Sequence, residues 1–112
     1  MSSSYRGTHE RRVIMPVKVF IKRQFPRDRE KDLIQCIRSI RNLVPQKAGY
    51  ISGEYLRSID DMNEIMTIST WFSHEDWLAW FNSSERRAIQ EKIDAIPGVT
   101  SEHVVYRYLK TI

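Results

Sequence analysis

A chain of 112 residues, 41% hydrophobic and 29% charged, fits one globular domain, leaves little room for a second, and is not a disordered composition. A lone cysteine, Cys36, excludes an intrachain disulfide, and no apolar run approaches the roughly 20 residues that span a bilayer. The start, MSSSYRGTHERR, has no apolar signal core, so a reducing, cytoplasmic setting with no membrane partner is expected. Net charge is +4, and half of it comes from Arg6, Arg11 and Arg12 against Glu10, so the rest of the chain is nearly balanced and nucleic acid is not the favoured partner.

Residues 1–14 show no clean apolar period and are expected to be a flexible basic arm, with one folded domain over 15–112. Pro16 to Phe25 alternates, with Val17, Val19 and Ile21 on one side and Lys18, Phe20 and Lys22 on the other. That pattern predicts a strand, which Pro26 breaks. Asp28 is expected to cap the next helix by accepting from free first-turn amides. Leu33, Ile37, Ile40 and Val44 recur at helical spacing, widened by Ile34 and Leu43, which predicts an amphipathic helix of about 16 residues ended by Pro45.

Tyr50–Ser58 and Glu64–Trp71 read as strands joined through Asp60-Asp61-Met62-Asn63, an antiparallel hairpin. Ser73-His74-Glu75-Asp76 has the spacing of a capping box, with Asp for the usual Glu, and opens a short helix through Phe81. Asn82-Ser83-Ser84-Glu85 repeats the logic and opens another, in which Ile89, Ile93 and Ile96 recur and Pro97-Gly98 marks the end. His103 to Leu109 alternates as the last strand. The order is β-α-β-β-α-β with the second helical region split in two, which predicts an α+β, ferredoxin-like antiparallel sheet with its helices on one face. Phe20, Met66, Ile68 and Tyr106 leave the other face too apolar for water, so a homodimer joined through the sheet faces is expected.

The segment GYISGEYLRSIDDMNEIMTISTWFSHEDWLAWFNSSERRAIQEKIDAI resembles the antibiotic biosynthesis monooxygenase (ABM) domain. The resemblance covers roughly residues 16–109 and is most specific at Ser69-Thr70-Trp71, the Ser73 cap, the helix with Trp77 and Trp80, and the Asn82-Ser83 junction. It implies a dimeric α+β barrel and a monooxygenase acting on a small aromatic, quinol-type compound. The quinone-forming members of that superfamily work without a cofactor and carry the strand-end tryptophan found here as Trp71. Where they have an asparagine four residues earlier this chain has Thr67, and where they have a phenol six residues later it has Trp77. Their arginine on the following helix falls near Glu91 or Lys92, so the cation looks displaced or lost. The haem-degrading members need an axial histidine where this chain has Gln90, although Trp80 matches their porphyrin-contacting tryptophan. Haem is therefore disfavoured, and no cofactor is expected.

On this reading Trp71, Thr67 and His74 are the candidate catalytic residues, while Trp77, Trp80 and Gln90 line the substrate. Trp71 and Trp77 would shape an apolar cage, Thr67 would orient a polar group, and His74 would act as a neutral base at a helix start. Each has a plainer reading: the tryptophans as core packing, and His74 as an exposed first-turn side chain. Cys36 reads as a small buried hydrophobe, Asp60-Asp61 as turn chemistry, and Arg86-Arg87 as solvated beside Glu85 and Glu91. Three histidines and one cysteine form no ligand spacing, and four glycines form no phosphate loop. The alternatives are a non-catalytic ligand-binding or dimerisation module of the same fold and, last, a nucleic-acid-associated regulator without a helix-turn-helix.

Overall fold

Alternation decides the sheet. In β1 (Val17–Gln24), Val17, Val19 and Arg23 are buried while the residues between them are only partly covered. The computed structural model describes residues 14–110, so nearly all of the expected arm lies outside the described residues. After β1 the chain runs through α1 (Glu30–Leu43), β2 (Tyr50–Arg57), β3 (Glu64–Trp71), α2 (His74–Phe81), α3 (Ser84–Asp94) and β4 (Thr100–Arg107). The strand order is β2-β3-β1-β4 with antiparallel pairing throughout, the ferredoxin-like topology the element order implies.

Two local expectations are corrected. Asp28 does not cap α1: it lies inside a 3-10 turn, Arg27–Arg29, and no side chain caps either that turn or the helix. Pro26 presets the turn at φ −66, and the amide of Arg29 donates to the Pro26 carbonyl at 2.9 Å, so backbone bonds do the work expected of the carboxylate. Because both ends tighten this way, α1 itself is 14 residues long, with Pro45 in the closing 3-10 turn, Val44–Gln46. The last strand begins at Thr100, not His103, since β1 extends to Gln24 and pairs with Thr100. Thr100, Ser101 and Glu102 are polar and give no apolar alternation to read.

The other local signals act as their chemistry dictates. Ser73 Oγ accepts from the Asp76 amide at 3.1 Å and opens α2; Ser83 Oγ accepts from the Arg86 amide at 3.1 Å and opens α3. Ser58 Oγ and Asp61 Oδ1 accept turn amides between β2 and β3, so Asp61 serves the hairpin. Gly49 has φ +83, and a Cβ there would overlap the Asp76 carboxyl, so β2 can enter beside the α2 cap only as glycine.

Across the sheet, the helix-facing side carries four cross-strand rows. They are Tyr50–Trp71–Val17–Arg107, Gly53–Ser69–Val19–Val105, Tyr55–Thr67–Ile21–His103 and Arg57–Ile65–Arg23–Ser101. Two apolar clusters pack on it. One gathers Val17, Val19, Val44, Trp71, Trp77 and Trp80; the other gathers Phe25, Leu33, Ile37, Ile65, Ile89 and Ile93. Fully buried members such as Leu33 and Ile93 contribute about 1.5–3 kcal/mol each through burial. The opposite face is open and apolar, with Phe20, Met66, Val104 and Tyr106 around a cavity of about 490 Å³. No helix among the described residues is long and apolar enough to cross a membrane.

Candidate functional site

A layer of polar side chains lies beside the two apolar clusters, beneath α3. Its rows on the sheet are Tyr55–Thr67–Ile21–His103 and, one step along, Arg23–Ser101. From above, α3 adds Arg86 and Gln90, and α2 adds Phe81. Together these line a solvent-open cavity of about 210 Å³ against β4, bordered by Ile21, Phe81, Arg86, Gln90, Ser101 and His103 and by the carboxylates Asp94 and Glu102; Ser101, His103, Asp94 and Glu102 are exposed.

Arg23 is the organising charge. It is 2% exposed, and no carboxylate lies within ion-pair distance of it among the described residues. Its Nε donates to Ser101 Oγ at 3.2 Å and its Nη2 donates to Gln90 Oε1 at 3.0 Å. Burial first, and then the charge of Arg86, pull its pKa down to about 10, so it remains a cation at neutral pH. Gln90 is held at both ends, its Nε2 donating to Asp94 Oδ1 at 2.9 Å. Arg86 is 7% exposed, with its guanidinium 4.4 Å from the centre of the Phe81 ring. Burial lowers its pKa as well, with Asp94 opposing. His103 packs against Phe81 and Trp77, centroids 5.0 and 5.3 Å away; burial and then Arg86 disfavour its proton, which keeps the imidazole neutral.

The sequence-derived candidates are distributed as follows. Trp71, Trp77 and Trp80 are 1%, 3% and 6% exposed and pack together in the first cluster. The Trp71 indole donates to Ser69 Oγ at 3.0 Å, a hydroxyl rather than a carbonyl. Thr67 faces the helices between Ile21 and Tyr55, and its Oγ1 is buried with no hydrogen-bond partner among the described residues. His74 is exposed and stacks on Trp77 at 6.0 Å, with the planes 11° apart. Gln90 lies in the cavity wall, while Trp80 is away from it.

Arg86 is a further correction: expected to be solvated, it is buried on α3, so this helix does hold a cation inward, one turn before the Glu91–Lys92 region. His103 begins the expected last strand with no partner in the sequence, and Arg23 and Ser101 carry no motif, although Arg23 continues the alternation of Val17, Val19 and Ile21. Gln90 is not placed to bind haem, and Trp80 is not placed to press on it. Gln90 is engaged by Arg23 and Asp94, and Trp80 is packed in the core with no face left for a porphyrin. Among the described residues, no group of three or more His, Cys, Asp or Glu side chains could hold a metal ion.

Three solved structures share this architecture. SnoaB, a cofactor-independent oxygenase from Streptomyces nogalater, solved as a mutant, superposes with a TM-score of 0.73 at 17% identity, over 86% of this chain and 96% of that one. Rv0793 from Mycobacterium tuberculosis gives 0.77 at 14% identity, over 86% and 97%. A conserved protein from Methanosarcina mazei gives 0.74 at 13% identity, over 84% and 93%. No curated protein matches the sequence. The family model described as antibiotic biosynthesis monooxygenase matches residues 16–92, more than half of the chain. With that match on the sequence and the same fold in its neighbours, the chain belongs to the antibiotic biosynthesis monooxygenase family.

Proposed function

We propose that this protein is a cofactor-independent monooxygenase that converts an activated ring methylene of a small phenolic compound to a carbonyl. The observation that carries this reading is the buried hydroxyl of Thr67, which has no hydrogen-bond partner among the described residues and stands where the quinone-forming members that the chain resembles have an asparagine. A buried hydroxyl without a partner costs about 1–3 kcal/mol, a cost that a bound substrate oxygen would offset. SnoaB, of the same fold, is described as cofactor-independent.

The chemistry balances without a cofactor. A base removes a proton from the methylene beside the phenol, giving a carbanion whose charge is spread onto the phenolate oxygen. Electron transfer to dioxygen and recombination give a hydroperoxide. Loss of water then leaves the carbonyl, with one oxygen atom in the product and the other in water. In this reading Thr67, beside Ile21 of the cavity wall, donates to the phenolate, and Trp77, packed on Phe81 and His103 with Trp71 in the same cluster, backs the wall and keeps water out. The base role expected of His74 is better served by His103, which is neutral and on the cavity wall. Gln90 holds Arg23 in place, while Trp80 supports the wall from behind.

Oxygen uptake by metal-stripped protein, offered anthrone-like phenols and quinols, tests the reading. Quinone formation with matching oxygen consumption is expected, and no uptake across the panel sinks it. The tight packing of all three tryptophans favours one alternative, a ligand-binding module that performs no chemistry. Saturable binding of the same compounds without oxygen uptake would select it.

The functional unit in this proposal is a homodimer. The open sheet face presents Phe20, Met66, Val104 and Tyr106, with Leu56 and Tyr106 47% and 58% exposed, and a second copy of that face covers it. Light scattering should give twice the chain mass, and Phe20→Glu should give one.

A further inference from the structure

We infer that the cavity between β4 and α3 is a receptor for a small aromatic carboxylate, held by Arg86 and the Arg23-supported pair Gln90 and Ser101. This deepens the oxygenase reading by naming the charge its substrate carries.

Two buried guanidinium groups share this region, and neither has a carboxylate within ion-pair distance among the described residues. A buried cation left without a counter-charge is strongly unfavourable, and such groups ordinarily pair with an anion. Arg23 directs its donors to two neutral acceptors. Arg86 goes further. Among the described residues its guanidinium donates to no protein acceptor; it lies over the face of Phe81 and borders the cavity. A planar fork of five donors that meets no acceptor matches the geometry of a carboxylate.

The remaining walls select a ring. Phe81 and His103 present aromatic faces and Ile21 an apolar floor. Ser101 Oγ already accepts from Arg23 and, at 3.5 Å, from Gln90, so its own proton is left to donate. Of the two carboxylates on the wall, Asp94 favours the charged form of both arginines, but neither Asp94 nor Glu102 comes within ion-pair distance of them. Asp94 and Glu102 are both exposed, and Asp94 is engaged by Gln90. At about 210 Å³ the cavity is below the roughly 300 Å³ at which drug-sized pockets begin, which suits a single ring.

Calorimetry with benzoate, against benzamide and sodium sulfate, tests this on the wild-type protein under argon, where no turnover occurs. One benzoate per chain is expected, bound at least tenfold more tightly than benzamide or sulfate. Arg86→Gln should weaken benzoate at least tenfold and leave benzamide unchanged, whereas the exposed neighbour Arg87→Gln should alter neither. If Arg86→Gln does not fold, the ligand comparison on the wild type decides alone. Equal binding of benzoate and benzamide, or no benzoate binding at 10 mM, roughly the weakest affinity calorimetry resolves, overturns the inference. Equal binding of sulfate overturns the aromatic part. Oxygen uptake failing while benzoate still binds would remove the oxygenase and leave the receptor standing.

Discussion

The tryptophan cluster and the arginine cavity lie on the same side of one sheet, yet they are opposite in kind. At the Val17 end, Trp71, Trp77 and Trp80 close against Val17, Val19 and Val44, and the polar atom of Trp71 is satisfied. At the Arg23 end, among the described residues, two buried cations have no carboxylate within ion-pair distance, and the Thr67 hydroxyl on the neighbouring strand has no hydrogen-bond partner. One end is a packed apolar cluster in which the Trp71 indole has its acceptor. The other is unmatched, and that is where chemistry can be expected.

This contrast gives substitutions opposite signs at the two ends. Trp71→Ala should lower unfolding free energy by about 3–5 kcal/mol, read by urea denaturation, because it opens a large cavity in a matched core. Arg86→Met should leave stability unchanged or raise it by about 1 kcal/mol, since it removes an uncompensated buried charge. A loss as large as that of Trp71→Ala would mean that Arg86 is structural. Ser73→Ala removes the α2 cap and should cost about 1 kcal/mol at the matched end. Thr67→Val keeps the shape and deletes the orphan hydroxyl, so the melting temperature should hold or rise slightly while oxygen uptake falls at least tenfold. Unchanged turnover would take Thr67 out of the mechanism.

The smallest effect concerns pH. Burial and Arg86 lower the pKa of His103, so the folded state resists a proton that the unfolded chain accepts near 6.5. Stability is therefore full above that value and is lost as pH falls from 6.5 through the lower folded pKa. His103→Gln should flatten that part of a pH–melting profile, and a profile identical to wild type would show the imidazole to be unperturbed.

Most of the fold was legible in the sequence, because period-two alternation, serine caps and proline stops are local. β3 runs over the residues the alternation names, and Ser73 and Ser83 cap where their spacing says. The polar layer was harder to read for a physical reason. Arg86 stands three residues before Ile89 and seven before Ile93, the spacing of the buried stripe, and Arg23 keeps step with Val17, Val19 and Ile21. Position points inward at both sites while residue type points outward, and a charged side chain at an inward position is ordinarily solvated. Arg23, Gln90 and Ser101 come from three elements, and only the folded register brings them together. The tryptophans drew attention because they are large and close in sequence, properties that suit a core as well as a site.

The break between α2 and α3 has a consequence for descent with modification. Ser83 accepts from the Arg86 amide in the first turn of α3 and donates to the Trp80 carbonyl at 2.7 Å, so the two helices are anchored independently, α2 in the tryptophan cluster and α3 through Ile89 and Ile93 in the other. A lineage can therefore exchange the inward side chains of α3, at positions 86 and 90, and acquire a new ligand without rebuilding the tryptophan helix. The junction separates the inherited frame from the part free to diversify.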